Sequence, residues 1–354
     1  MIGPVFKWFE GRIDPYPQSE PQQPPKTLLG FCLHYSFGAK RWLAAMTLLG
    51  AAIAIGEVML FGFMGSLVDW LGTADKATFL ANEGWKLGLM AIVLLVVLPL
   101  LQLIDSLIIH QSLLGNFPQR IRWMAHRYLI RQSMSYFQDE FAGRIGAKLM
   151  QTALAAREVV MKVLDVTVFV VVYFIGAVVL AFMGDPWLAV PFIVWLIAYS
   201  ALLRYYIPRL GKISEAQADA RSTMTGRIVD SYTNIATVKL FSHSRREEAY
   251  AREAMDGFMG TVHSQMRIVS ILNVTITTMN AVLLAAVVSV GVWQWLTGTM
   301  TPGSIAVAAA LVLRFQGMSQ WIMWEMSALF ENIGVVRDGI TSISLPRIVA
   351  DAPG

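Results

Sequence analysis

Four ionisable side chains, Glu57, Asp105, Arg314 and Glu325, sit where the chain is otherwise apolar. A charge inside a bilayer is costly, so such residues pair with each other, line a polar path or mark a ligand site. Glu57 lies 15 residues past Trp42, and Arg314 lies 11 residues past Gly303. Counted from opposite faces at about 1.5 Å per residue, these positions reach about 22 Å and about 17 Å, which are comparable depths. Two readings stand open: a structural Glu57–Arg314 bridge, or two separate contacts in a translocation path. Asp105 with His110, and Glu325 with Glu331, fall toward one end of their apolar runs and suit a cavity open on that side. Phe315, Met318, Trp321, Met323, Trp324 and Met326 add a soft apolar wall. Methionine re-packs around varied ligands, although Met and Trp also serve as ordinary lipid-facing residues.

Soluble enzyme chemistry finds little to work with. No G-x-x-x-x-G-K-[ST] occurs, and the one Gly-Lys pair, Gly211-Lys212, continues into Ile213 on an expected helix, which excludes a phosphate-cradling loop there. His34, His110, His126, His243 and His263 are scattered, and Cys32 is the single cysteine. No metal cluster, disulfide framework or nucleophile–base motif is expected. The chain is therefore not expected to hydrolyse ATP by itself, and no cofactor is expected within it.

The elements that must position the charges are membrane spans. Of 354 residues, 56% are apolar and 15% charged, and the mean hydropathy is +0.55. A soluble domain carries about 25% charged residues. Six runs reach the roughly 20 apolar residues that a spanning helix needs, at about 42–71, 86–116, 159–183, 187–207, 268–297 and 303–332. Gly184-Asp185-Pro186 and Gly298–Gly303 read as tight turns. The connections at 117–158 and 208–267 are long and rich in Lys and Arg, as is the N-terminal segment, whereas the intervening loops hold only Lys76 and Lys86. The basic side faces the cytoplasm, which places both chain ends and both long connections there. Trp70, Trp85, Trp187, Trp293 and Trp295 fall at the outer ends, as an interfacial belt.

Both long connections keep a 3.6-residue apolar period, through Ile121, Met124 and Tyr128 and through Ile213, Ala216, Ala220 and Met224. They are expected to continue the spans as two helical hairpins, with tips near 137–143 and 241–248 and kinks at Pro118 and Pro208. A helix over 86–138 would be about 80 Å long, and some 30–40 Å of it would project from the bilayer.

The segment from Tyr136 to Leu149 (YFQDEFAGRIGAKL) and that from Asn234 to Ala251 (NIATVKLFSHSRREEAYA), together with the span order and the two hairpins, resemble the transmembrane domain of ABC exporters of the multidrug and lipid-flippase type. The resemblance covers about residues 27–345. One departure is Lys148, followed by Thr152-Ala153-Leu154, where family members often place an Arg and then an Asp. The resemblance implies that Gln138, Asp139, Glu140 and Phe141 form a first coupling helix, and that Phe241, Ser242, His243, Ser244 and Arg245 form a second. Such tips dock in clefts of ATP-binding domains. The plainer alternatives are that Phe241 packs within its own hairpin and that His243 is simply solvated.

The expectation is an all-α polytopic membrane fold with six transmembrane helices and two long cytoplasmic helical hairpins. Its divisions are a polar cytoplasmic tail (1–26), an amphipathic elbow helix (27–40), the membrane domain (41–345) and a linker toward a nucleotide-binding domain (346–354). The resemblance implies one half of a homodimeric ATP-driven exporter in the bacterial inner membrane. Its partners would be a second identical half, lipids, a nucleotide-binding domain carrying ATP and Mg2+, and a small-molecule, lipid or peptide substrate. No nucleic-acid partner is expected. A lipid-modifying membrane enzyme and a proton-driven transporter using Glu57, Asp105 or Glu325 are the alternatives.

Overall fold

A computed structural model describes residues 3–73, 75–139, 142–240 and 244–347. Among these residues every regular element is helical. Two short helices, α1 (Gly3–Glu10) and α2 (Leu28–Ser36), precede the first long one, α3 (Lys40–Thr73). The second span is a relay of α4 (Phe79–Ile92), α5 (Leu98–Leu107) and α6 (Asn116–Leu129). It is followed by the six-residue α7 (Met134–Asp139), α8 (Ala142–Leu164) and α9 (Val166–Gly184). Then come α10 (Pro186–Thr233), the short α11 (Ile235–Leu240), α12 (Ser244–Leu296) and α13 (Pro302–Ile343). Among the described residues six helical stretches are long and apolar enough to cross a bilayer, so the chain is an integral membrane protein.

The turns form where their chemistry dictates. Asp185 breaks from helical geometry, and its Oδ1 accepts from the Trp187 amide at 2.8 Å, capping α10, while Pro186 fills the first helical position. Gly298 takes the left-handed φ of +75° that turns the chain after α12. Thr301 caps α13 through the Ser304 amide at 3.2 Å, again with proline next.

Two features of the second span were not visible in its hydropathy. At Val93–Val97 and Ile108–Leu113 the helix widens by one residue per turn, with Leu98 N–H donating to Val93 O and Leu114 N–H to Ile109 O. The first wide turn contains Leu95, the residue whose carbonyl the Pro99 ring would strike in an unbroken helix, so widening relieves that clash. The second ends at Leu114-Gly115, three residues before Pro118, where a kink was expected. At Pro208 α10 continues as helix through to Thr233. The second span also ends at Leu129, short of 138. Residues 130–133 form a turn, because the side chain of Tyr136 is drawn into the core and its OH donates to Ser342 O at 3.3 Å.

The described chain divides into two compact units, and α10, α12 and α13 each contribute to both. The larger comprises Met1–Phe192, Ala286–Arg314 and Asn332–Gly354. Its core is the packing of α3 on α9, with Met46, Ile53, Ala54 and Val58 buried on one helix and Tyr173, Phe174, Ala177 and Ala181 on the other. Where α3 meets the start of α13, a Cβ on Gly303 would collide with the backbone oxygen of Gly65. The two helices therefore touch backbone to backbone, as small residues permit in membranes.

The stretch read as a polar tail is folded. After α1, Ile13 is buried, and residues 14–25 run as a strap whose backbone carbonyls serve as acceptors. Arg120 donates to Asp14 O at 2.8 Å, Trp123 to Pro17 O at 3.2 Å, and Arg127 to Pro17 O and Ser19 O at 2.9 and 2.7 Å. Prolines supply such acceptors while offering no amide donor that would need a partner. The strap ends where Ser344 donates to Pro25 O at 3.2 Å and Gln23 to Ser344 O at 3.2 Å.

The smaller unit comprises Ile193–Ala285 and Phe315–Glu331. Toward its tip α10 and α12 are zipped together. Arg227 donates to Tyr250 O at 2.9 Å and to Glu253 at 3.1 Å, and Ser231 donates to Glu247 at 2.7 Å.

Candidate functional site

Helices α3 and α13 bring Glu57 and Arg314 together, and Arg314 Nη2 donates to Glu57 Oε2 at 2.8 Å. The two side chains are 28% and 43% exposed, so the bridge is open on one flank. The Arg314 guanidinium also lies 5.8 Å from the ring centre of Tyr173 on α9. Tyr173 itself is buried. Three helices of the larger unit thus converge on one charged pair. The depth count from the two membrane faces anticipates the pair; it does not point to Tyr173, which lies in a run of Val, Phe and Ile.

Asp105 sits on α5 between the two wide turns, with its Oδ1 buried and without a hydrogen-bond partner among the described residues. His110 folds back on its own helix, Nδ1 lying 2.9 Å from Ser106 O. Met318 and Glu325 belong to the smaller unit, where Met318 is buried and Glu325 half-buried.

That unit holds a polar network that sequence reasoning missed. Trp195 Nε1–H donates to Asn280 Oδ1 at 3.0 Å, and Asn280 Nδ2–H donates to Ser319 Oγ at 2.9 Å. Tyr199 OH donates to Ser319 O at 2.8 Å, and Trp195 stacks on Tyr199 with ring centres 4.8 Å apart. Asn280 and Ser319 are buried. The network joins the fourth, fifth and sixth spans.

At the other end of the larger unit, Asp69 Oδ1 accepts from the Gly303 amide and Oδ2 from Thr301 Oγ1, both at 2.8 Å. A carboxylate from α3 thus caps the N-terminus of α13, where the helix dipole favours negative charge. A cavity of about 160 Å³ lies beside it, lined by Gly62, Ser66, Asp69, Gly184, Ser304 and Val307 among others.

The hairpin ends hold the residues assigned as coupling helices. Glu140, Phe141, Phe241, Ser242 and His243 lie outside the described residues. Gln138 and Asp139 close α7 and Ser244 opens α12 as helical backbone, and Arg245 is exposed. The departure at Lys148 and Thr152 has a local partner. Lys148 Nζ donates to Asp338 at 3.0 Å and to Ser342 at 3.3 Å, and Thr152 packs so closely on α13 that a Cβ on Gly339 would overlap it. Tyr128 OH adds a bond to Leu345 O at 2.6 Å, and Gln132 another at 3.0 Å. The first hairpin is therefore tied to the segment by which the chain leaves α13.

Cys32 is buried on α2, and that burial pushes its thiol up to about 11. At neutral pH the nucleophilic thiolate is scarce, so probe cysteines report in the native background.

Comparison with known proteins finds similarity in family, in sequence and in structure. The family model of the ABC transporter transmembrane region matches residues 43–318. A protein of Haemophilus influenzae described as an uncharacterized ABC transporter ATP-binding protein is 44% identical over 353 residues, covering 100% of this chain and 57% of its own length. The structure of a bacterial Atm1-family ABC exporter with ATP bound superposes with a TM-score of 0.65 at 16% identity, covering 90% of this chain and 55% of that one. The chain thus spans a little over half the length of these two proteins.

Proposed function

The chain belongs to the ABC transporter transmembrane region family, and from that membership we propose that it forms the membrane half of a homodimeric, ATP-driven exporter. Two copies supply twelve spans, and nucleotide-binding domains, fused beyond the linker at 346–354, supply ATP and Mg2+. Helix α2, within the stretch 27–40, is the elbow on the inner membrane surface, and both chain ends face the cytoplasm of a bacterial inner membrane. Gln138–Phe141 and Phe241–Arg245 couple the spans to the nucleotide-binding domains. Closure of those domains drives the hairpins and turns the path lined by Glu57, Asp105, Arg314, Met318 and Glu325 from inward- to outward-facing. The substrate is a small molecule, lipid or peptide that binds the two states unequally, since coupling requires a differential affinity.

The observation that carries this reading is the 44% identity that runs through the whole chain into a longer relative described as ATP-binding. The tying of the first hairpin to the outgoing end of α13 supports it, because a push on that hairpin reaches the chain's exit through Tyr128, Tyr136 and Lys148. The family match disfavours the lipid-modifying enzyme and the proton-driven transporter. The test is Phe241→Ala in the intact protein. Losing an aromatic anchor from a packed cleft costs about 2 kcal/mol or more of docking, so substrate-stimulated ATPase activity should fall while membrane insertion stays normal. Unchanged stimulation assigns Phe241 to packing within its own hairpin.

A further inference from the structure

Helix α1 has no buried residue, yet it is held in place. Ser112 Oγ donates to Phe9 O at 2.8 Å, Asn116 Nδ2 donates to Glu10 O at 2.6 Å, and the rings of Trp8 and Phe9 each lie 6.1 Å from that of Trp42. These anchors fix its level. Trp42 stands in the first turn of the first span, and Ser112 lies near the end of the apolar run of the second. Helix α1 therefore lies where α3 enters the bilayer.

Its outward face is apolar with a basic rim. Phe6 and Phe9 are half-buried, whereas Val5 and Trp8 are 48% and 51% exposed. The Arg12 guanidinium lies 3.5 Å over the Trp8 ring. Across residues 3–12 and 40–42 there are four exposed cations, Lys7, Arg12, Lys40 and Arg41, against the single carboxylate of Glu10. None of the four has an ion-pair partner among the described residues. Leu29 and Leu33 of α2, with Phe37 just past its end, form a second exposed ridge at four-residue spacing, with Lys40 Nζ 4.3 Å from the Phe37 ring centre.

We propose that α1 and the first turn of α3 form a docking surface for anionic phospholipid headgroups in the leaflet at the Lys40 end of the spans. Val5 and Trp8 enter the acyl boundary, and Lys7, Arg12, Lys40 and Arg41 meet the phosphates. Two arguments select lipid as the occupant. The surface is continuous with a membrane-spanning helix, and a cluster of unpaired cations beside exposed apolar side chains complements an anionic interface and not a neutral one. Val5 and Trp8 alone bury little, and stable surface binding takes an apolar signal together with a basic one. The proposal rests only on the presence of the spans and does not depend on the transport reading.

The test is a Val5→Cys variant of the intact protein carrying an environment-sensitive fluorophore. It is placed in phosphatidylcholine vesicles and in vesicles that also contain phosphatidylglycerol. Quenching by brominated lipid should be strong with phosphatidylglycerol and weak without it. Lys7→Gln with Arg12→Gln should abolish the difference, weakening docking by about fivefold per cation, the equivalent of about 1 kcal/mol each near an anionic surface. Equal lipid quenching in both vesicles overturns the headgroup assignment. A label reached only by a water-soluble quencher overturns docking altogether, and a label reached by neither places α1 against protein and also overturns it.

Discussion

Neutralising Glu57 alone, or Arg314 alone, is expected to lower the yield of folded protein in the membrane, and neutralising both is expected to restore it. The two side chains share a 2.8 Å hydrogen bond between the first and sixth spans. Removing one partner strands the other charge within the spans, and stranding a buried charge costs about 3–5 kcal/mol. Because these side chains are 28% and 43% exposed, a discounted cost of roughly 1–3 kcal/mol is the working figure. The double variant Glu57→Gln with Arg314→Gln strands neither charge and keeps hydrogen-bonding capacity at both positions. A double-mutant cycle on expression and on transport reads the coupling directly. A coupling energy of zero in both would mean that each residue acts without the other.

Asn280→Ala is expected to destabilise the smaller unit more than Ser319→Ala. Asn280 is the middle link of the network, accepting from Trp195 and donating to Ser319. Its truncation removes both bonds, strands the Trp195 N–H and opens a buried void, while loss of the Ser319 hydroxyl removes its bonds to Asn280 and to Gln316 O but leaves a smaller void and keeps Tyr199 donating to the Ser319 carbonyl. Hydrogen bonds between membrane helices contribute about 0.6–2 kcal/mol each. The expected cost is therefore about 1–4 kcal/mol for Asn280→Ala, and less for Ser319→Ala because a smaller side chain leaves a smaller void and no stranded indole N–H. Thermal unfolding in detergent, followed by tryptophan fluorescence, provides the measure. The reverse order would show that Asn280 is held mainly by packing.

The spans, their turns and the charged pair were legible because each rests on a strong local signal. Hydropathy marks a span, Asp-Pro and Thr-Pro mark a turn, and a carboxylate and a guanidinium at matched depth mark each other. The wide turns around Pro99 and at 108–113 were not legible, since one extra residue per turn leaves an apolar run equally apolar. The network around Asn280 was hidden because one Asn and one Ser do not disturb the average of a span. The strap at 14–25 escaped because its bonds use backbone carbonyls, which every sequence possesses. The end of the second span at Leu129 was missed for another reason. The periodicity continues past it, and tertiary packing of Tyr136 against Ser342 overrides local helical preference.

Lys148 and Thr152 illustrate how a departure from a family pattern acquires meaning only with a partner in view. Alone they read as missing an Arg and an Asp. Beside α13 they become a bond to Asp338 and a close seat for Gly339.

The central claim is that nucleotide moves the path through these spans from one face of the membrane to the other. Gln316→Cys offers the most direct test, since that side chain is exposed on α13 two residues past Arg314. Its backbone carbonyl, which accepts from Ser319 Oγ at 3.1 Å, is untouched by the substitution. An impermeant thiol reagent is applied to the intact protein in vesicles, from each side in turn. The predicted result is labelling from the hairpin side without nucleotide, and from the opposite side after trapping with ATP and vanadate. Labelling from the same side at the same rate in both conditions would contradict the account.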